Sequence, residues 1–518
     1  MAVTAVPTDQ SSSTAGSPDT GFFGHPRGLS TLFFTEMWER FSYYGMRAIL
    51  ILFMTASVSA GGLGFPTGKA GLIYGTYTAL VYMLSLPGGW VADRLLGQRK
   101  ATFWGGVVIM LGHISLAVPT LTSFYLGLGL VTIGTGLLKP NVSTMVGQLY
   151  APEDRRRDAG FSIYYMGINL GAFIAPFICG GLAQSGWWRG VLASIGIAPE
   201  NSWHWGFGAA AVGMAIGVVQ YVWGWRYLGD AGLHPAPSES PAAARRQRRQ
   251  LGIGVGIVVG ILVLLAALSG SGLLLVTAER IGAWFGYLLV ATVVVFFLWL
   301  FLAASWTPEE RKRLVVVAVL FAGAAIFWSV FEQAGSTLNL FAERSTNNSL
   351  LGFGFPASWW QSVNSAFIIV LAPVFAWVWL RLGRRDPSSP SKFSIGLLFV
   401  GLSFALMIGA ARVAETGVRV SPWWLLGCYL LQTIGELCIS PVGLSAMTRL
   451  APARVAGLTM GVWFLALSVG NFIGGSVASL YEKFALPSIF AAVAAYTFVG
   501  ALVLALLIAP IKRMLARA

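Results

Sequence analysis

The sequence predicts an all-α integral membrane protein of fourteen spanning helices, and three observations predict it. Of its 518 residues 56% are hydrophobic and only 10% charged, with mean hydropathy +0.72; a soluble domain carries roughly a quarter charged residues. The apolar residues fall into fourteen long runs, and a bilayer core takes about 20 such residues per helix. The Lys and Arg collect in alternate loops. A β-barrel does not fit, because the runs are continuous rather than alternating over stretches of about ten residues.

Taken in order, residues 1–28 are rich in Ser, Thr, Pro and Gly and read as a disordered tail. They lack the basic n-region and apolar h-region of a cleaved signal peptide. The spans then run at approximately 30–57, 68–95, 99–118, 121–149, 159–183, 203–228, 251–274, 281–305, 312–335, 357–382, 392–412, 421–449, 455–480 and 486–511. With the N-terminus in the cytoplasm, the inner loops hold Arg94, Arg99, Lys100, the RRR at 155–157, RRQRR at 245–249, RKR at 311–313, RLGRR at 381–385, and Lys512 and Arg513. About 24 of the 34 Lys and Arg fall inside and about seven outside, as the positive-inside rule requires. The even number of spans returns the C-terminus, 512–518, to the cytoplasm. The net charge of +14 is thereby assigned to topology and lipid headgroups, not to a nucleic-acid surface. Cys179, Cys428 and Cys438 lie in apolar runs; the last two are about 15 Å apart along a helix, too far to bridge. The four histidines are scattered, with no metal-ligand spacing.

The longest polar interruption, 229–250, reads as a cytoplasmic linker of Pro, Ser and Ala followed by charges. It separates a six-helix unit, 29–228, from two additional helices, 251–305, and a second six-helix unit, 306–511. Two six-helix halves about a central cavity are the architecture of the major facilitator transporters. A short internal echo agrees: MGINLGAFIAP in the fifth helix and SVGNFIGGSV near the end both put Asn and small residues in a closely packing helix. The loop GGWVADRLLGQRK at 88–100 resembles the major facilitator signature between the second and third helices. There, Gly89 and Gly97 would let helices approach, while Asp93 and Arg94 would latch one bundle to another.

Seven charges remain inside apolar segments: Glu36, Glu39, Arg40, Arg47, Lys139, Glu332 and Glu436. Each costs about 2.5–3.5 kcal/mol at the bilayer centre on insertion scales, and such residues mark substrate or ion pathways. At 100° per residue, Glu36, Arg40, Tyr43 and Arg47 fall at about 0°, 40°, 340° and 20°, a single stripe over three turns, with Glu39 and Tyr44 flanking it. A purely structural salt-bridge stripe is the alternative.

The stretch from Glu36 through Glu39, Arg40, Phe41, Tyr43 and Tyr44 to Gly45 is similar to the helix 1 motif of the proton-dependent oligopeptide transporters (POT/PTR), a major facilitator family. FSIYYMGINLGAFIAP at 161–176, FWSVFEQAGSTL at 327–338 and GELCISPVGLS at 435–445 resemble that family's signatures in helices 5, 7 and 10. The two extra helices resemble those of bacterial members, which implies a bacterial inner membrane. The resemblance implies roles by position. Arg47 and Lys139 would meet the peptide carboxylate. Asn169, Asn364 and Glu436 would hold the amino end. Glu36, Glu39 and Arg40 would couple the proton, with Glu332 linked to protonation and to Arg47. Tyr43, Tyr44, Tyr82, Trp328, Ser440 and Trp463 would line the cavity, with Tyr74 and Tyr77 of the same helix as alternatives to Tyr82. No cofactor is expected beyond the proton as coupling ion, and a monomer is expected to suffice.

The chemistry of the residues agrees with these roles. A zwitterionic peptide needs a cationic and an anionic end a few ångströms apart; Arg47 and Lys139 supply one, Glu436 the other. Recognition of the termini leaves the side chains free, so short peptides of varied sequence are the expected substrates. If Glu332 took a proton, Arg47 would be released to the substrate carboxylate, and Lys139 and Glu436 would pair across the halves when the site is empty. Another small solute on the same fold (nitrate, an amino acid or a peptide-like drug) is the rival reading. An intramembrane enzyme or channel is disfavoured, because no membrane-depth HExxH and no selectivity-filter motif occurs.

Overall fold

Every apolar run forms helix in the computed structural model, which describes residues 19–151, 153–236, 240–302, 305–450 and 459–516. The first unit contains α1 (Arg27–Thr55), α2 (Thr67–Met83) continued by α3 (Ser85–Val91), α4 (Gln98–Leu116), α5 (Leu121–Gln148), α6 (Arg157–Ala175) continued by α7 (Gly181–Gln184), a surface helix α8 (Gly186–Ser194), and α9 (Ser202–Gly224). The additional pair is α10 (Pro241–Gly270) and α11 (Ala278–Leu302). The second unit contains α12 (Pro308–Phe331), α13 (Thr337–Ser345), α14 (Gln361–Leu382), α15 (Ser389–Glu415), α16 (Trp423–Leu450), α17 (Thr459–Ala478) and α18 (Leu486–Ala516), with a two-residue hairpin of β1 (Ser349–Leu350) and β2 (Phe353–Gly354).

Local chemistry sets the starts of these helices. Thr120 caps α5, Ser240 caps α10 ahead of Pro241, and Thr307 with Glu310 forms a capping box ahead of Pro308. Eleven helical stretches among the described residues are long and apolar enough to span a membrane. α1 carries its four charges and α2 is broken after 17 residues, yet both lie within the bundle.

Three expectations change. The tail does not run unstructured to residue 28. Residues 19–26 form a turn on the bundle, because His25 Nδ1 lies 2.9 Å from the Tyr150 hydroxyl and Arg156 donates to the Gly24 carbonyl at 2.9 Å; residues 1–18 lie outside the described residues. The linker is shorter than 229–250, because its basic run is the first turns of α10; 237–239 lie outside the described residues, as do 517–518 of the C-terminus. The seventh apolar run of the two main units does not end at 335. α12 stops at Phe331, Glu332–Gly335 makes a 3₁₀ turn, and α13 carries the chain on to Ser345.

The loop at 88–100 also behaves differently from expectation. Gly89 has only ordinary contact distance to Pro140; Gly88, beside it, is the residue pressed against the α5 backbone at Gly136. Arg94 is exposed, and Asp93 accepts from the Gln98 amide at 2.9 Å and, through its carbonyl, from the Ala236 backbone at 2.8 Å. Arg99 makes the stronger tie, donating to the carbonyls of Gly229 and Ala231 at 2.6 and 2.9 Å. Among the described residues the loop is thus latched within its own unit, because the 229–236 turn lies nearer than the second bundle.

Within the first unit α4 packs on α5 and α9, and α1 on α6 and α9; within the second α15 packs on α16 and α18, and α12 on α17. The units meet where α2 crosses α17, where α6 meets α14, and where α1 meets α13. The α2–α17 crossing is backbone on backbone: a Cβ at Gly75 would lie 2.8 Å from the Cα of Gly475. Small residues serve this purpose in membranes, where packing rather than solvent exclusion holds helices together. α11 lies over the same seam, with Phe285 against Phe472 of α17 (centroids 5.4 Å apart) and Gly282 beside Leu72 of α2. α10 is buried nowhere along its apolar stretch.

Candidate functional site

The break in helix at Glu332–Gly335 carries the centre of the site. It turns the Glu332 side chain toward α1, where Arg47 Nη2 meets Glu332 Oε2 at 2.5 Å and Arg47 Nε donates to the Tyr74 hydroxyl at 2.6 Å. Both charged groups are about 95% buried. Gly335 is packed against this pair; a Cβ there would lie 2.7 Å from Arg47 Nε. Gly335 does not figure in the sequence expectations, and Tyr74 figures only as an alternative to Tyr82 for lining the cavity. The glycine follows Glu332 in the same motif, but only the fold puts it on an arginine almost 290 residues earlier in the chain.

Two to three turns nearer the start of α1, Arg40 is paired with both Glu36, at 3.1 Å, and Glu39. Its guanidinium lies 5.4 and 6.0 Å from the ring centres of Tyr43 and Tyr44, and that of Arg47 lies 5.7 Å from Tyr44. The stripe along α1 is therefore two buried ion clusters joined by tyrosines. Tyr164, on α6, also unforeseen, donates to Glu36 Oε2 at 2.7 Å.

Lys139 projects from α5 with its ammonium 3.9 Å above the Tyr82 ring. In the second unit, Glu436 on α16 accepts from the Asn364 amide at 3.0 Å, and Asn364 also donates to Thr433 at 3.0 Å. Lys139 and Glu436 are not paired with each other among the described residues; each rests on groups of its own unit. Asn169 donates to the Tyr165 carbonyl one turn back at 3.1 Å, and Asn471 in α17 does the same to Leu467 at 2.9 Å, so the internal echo is a matched pair of helix contacts. Trp328 and Trp463 meet edge to face, with centroids 6.3 Å apart. Among the described residues, the Trp328 indole N–H and the hydroxyls of Tyr43 and Ser440 are buried without a protein partner. Among the described residues no group of three or more His, Cys, Asp or Glu is placed to hold a metal.

The hydrogen bonds and ion pairs joining the two units share a side. Let the face away from the start of α1 be called the outer face. Besides Arg47–Glu332, the described ties are Asn339 to the Ala48 carbonyl (2.8 Å), Ser468 to the Ala79 carbonyl (2.8 Å), Ser362 to the Phe173 carbonyl (2.7 Å), Gln184 with Glu343 (3.2 Å) and with the Ser358 backbone, and a cluster of Thr67, Glu482 and Arg344. All lie at mid-depth or nearer the outer face. In the cluster, the Thr67 hydroxyl and then Arg344 hold the Glu482 carboxyl below the usual carboxylate range. The units are thus tied together from mid-depth to the outer face, while Lys139 and Glu436 each rest on groups of their own unit.

The chain matches known proteins over nearly its whole length. The model of the POT family matches residues 99–497. A peptide transporter of Yersinia enterocolitica, YePEPT, is 42% identical, with 95% of this chain and 96% of the relative covered. A di-/tripeptide transporter of Lactococcus lactis subsp. cremoris is 38% identical, with 89% of this chain and 90% of the relative covered. The crystal structure of a peptide transporter POT in complex with sulfate superposes with a TM-score of 0.86 at 43% identity, covering 96% of this chain and 97% of that one. Fold, motif order and family model agree, and the chain belongs to the POT family of multi-pass membrane transporters, on the major facilitator fold.

Proposed function

We propose that this chain imports di- and tripeptides by proton-coupled symport through alternating access. The observation that carries the reading is the buried Arg47–Glu332 pair, which ties the two units together at 2.5 Å beside a second cation, Lys139. The names of the relatives, peptide and di-/tripeptide transporters, support the substrate class.

A peptide entering the cavity would offer its carboxylate to Arg47 and Lys139 and its ammonium to Glu436, held in place by Asn364; Asn169 would support that end. Tyr43, Tyr44, Tyr82, Trp328, Ser440 and Trp463 would line the remainder, several of them with unpartnered polar tips for a backbone amide. Neutralising Glu332 would remove the charge that keeps Arg47 engaged, so a proton and a substrate carboxylate compete for the same cation. Loss of that tie would loosen the outer face and allow the units to rock. Glu36, Glu39 and Arg40 would form the second proton-responsive cluster. The loop residues Gly89, Asp93, Arg94 and Gly97 would act on conformation and not on substrate.

We place the protein in the bacterial inner membrane with both termini in the cytoplasm, acting as a monomer without a cofactor other than the proton. The test is uptake of a labelled dipeptide into proteoliposomes with and without an imposed pH gradient. Gradient-dependent accumulation is expected; uptake indifferent to the gradient would refute symport.

A further inference from the structure

Two glutamates share one arginine near the start of α1, and their surroundings are unequal. Glu36 is held at both carboxylate oxygens: Arg40 Nε forms an ion pair with Oε1 at 3.1 Å, and the Tyr164 hydroxyl donates to Oε2 at 2.7 Å. Glu39 has a donor on one oxygen only. Its Oε2 meets Arg40, while its Oε1 is buried with no protein partner among the described residues, and the residue is 0% exposed.

The asymmetry has a chemical meaning. Protonating Glu36 would give up its ion pair with Arg40 if Oε1 took the proton, or the charge-assisted hydrogen bond from Tyr164 if Oε2 did. Protonating Glu39 at Oε1 gives up none, and it removes a charge from a dry site. Glu36, Glu39 and Arg40 together carry one negative charge in excess, which either a proton on Glu39 or the Lys139 ammonium offsets. The other groups facing the pair are Lys139, the further cation within electrostatic reach, and the neutral rings of Tyr43, Tyr44, Tyr77 and Tyr82. Tyr164 and Glu36 sit on helices of the same unit, so their bond is independent of rocking between the units.

We propose that Tyr164 is a positioning residue. By hydrogen-bonding Glu36 it fixes that side chain as the permanent counter-ion of Arg40, and it leaves Glu39 as the glutamate of the pair that exchanges the proton. Glu39 Oε1 takes the proton from a hydronium ion, leaving water, and later returns it to water; Arg40 stays charged and paired with Glu36 throughout. The inference rests on the proton-coupled reading above.

The test compares wild type, Y164F, E36Q and E39Q in proteoliposomes, by gradient-driven dialanine uptake across a range of pH and by dialanine counterflow at equal pH. E39Q is expected to lose gradient-driven uptake and keep counterflow. E36Q is expected to lose both, because Arg40 loses its fixed partner. Y164F is expected to keep both, with the midpoint of its uptake profile moved alkaline by about one pH unit, the size set by one hydrogen bond to a charged group. A Y164F profile superimposable on wild type, or E36Q keeping counterflow while E39Q loses it, overturns the proposal. If Y164F does not reconstitute as a folded protein, the contrast of E36Q with E39Q decides on the same terms. Wild-type uptake is read first: without gradient dependence there the symport reading fails, whereas with it intact any failure belongs to the Tyr164 assignment alone.

Discussion

Gly335→Ala tests whether the site depends on the backbone that seats Arg47. The new Cβ would lie 2.7 Å from Arg47 Nε and 3.0 Å from Nη2, and against the Tyr74 hydroxyl. An ordinary contact is about 3.5 Å, so the guanidinium must withdraw by about 0.8 Å. A shift of that size is affordable for a free arginine tip. Here the tip is bound at 2.5 Å to Glu332 and at 2.6 Å to Tyr74, and both bonds stretch beyond good geometry. A hydrogen bond to a charged group contributes about 1.5–3 kcal/mol, and losing one weakens an equilibrium by about ten- to hundredfold. Dipeptide affinity, measured by titration calorimetry on purified protein, should fall by about tenfold or more. Gly68→Ala is the control, since its Cβ would meet only the Ser479 carbonyl at 3.5 Å. Wild-type affinity in the Gly335 variant, with a normal Gly68 control, would refute the view that Arg47 is held where substrate needs it.

Three further outcomes are expected. Glu332→Gln should abolish gradient-driven accumulation while sparing counterflow, since the proton-responsive charge is gone but the cavity remains; undiminished accumulation would remove Glu332 from the coupling step. The outer cluster should resist mild acid. The Glu482 carboxyl is held below its usual range by Thr67 and Arg344, so the ionised tie is fully present above the ordinary carboxylate value and is lost only as pH falls through the lower, folded value. Spin-label distances across the outer ends of α2 and α13 should therefore stay constant from pH 7 to about pH 5, and widening already at pH 6 would contradict this. Arg99→Ala should lower stability by about 1–3 kcal/mol, because the buried carbonyl of Ala231 loses its donor along with that of the exposed Gly229; thermal unfolding in detergent reads it, and an unchanged midpoint would show the latch to be idle.

Much of the site was legible before the fold. The seven intramembrane charges stand out because each is costly in lipid, so cost alone marks Glu36, Glu39, Arg40, Arg47, Lys139, Glu332 and Glu436. Their partners were harder to read. Tyr74 and Tyr164 are two tyrosines among 15, and Gly335 is one glycine among 63; such residues are at home in any membrane helix, so composition gives them no contrast. The expected reach of the 88–100 loop toward the second bundle failed for a related reason. A motif gives donors and acceptors, and the nearest backbone carbonyls, those of the 229–232 turn, took them.

By itself the sequence determined the membrane setting, the nearly all-helical fold and the charged stripe of α1. These follow from periodicity and transfer cost, which are properties of single segments. Only the tertiary structure decided which charges come into contact. The resemblance already links Arg47 to Glu332; the 3₁₀ break after Phe331 and the bare backbone of Gly335 are what bring the two to 2.5 Å. Lys139 and Glu436 could have paired; the units stand so that Lys139 rests on Tyr82 and Glu436 on Asn364. Burial makes every ion need a partner, but the choice among partners depends on ångström distances between helices far apart in the chain, which no local pattern encodes.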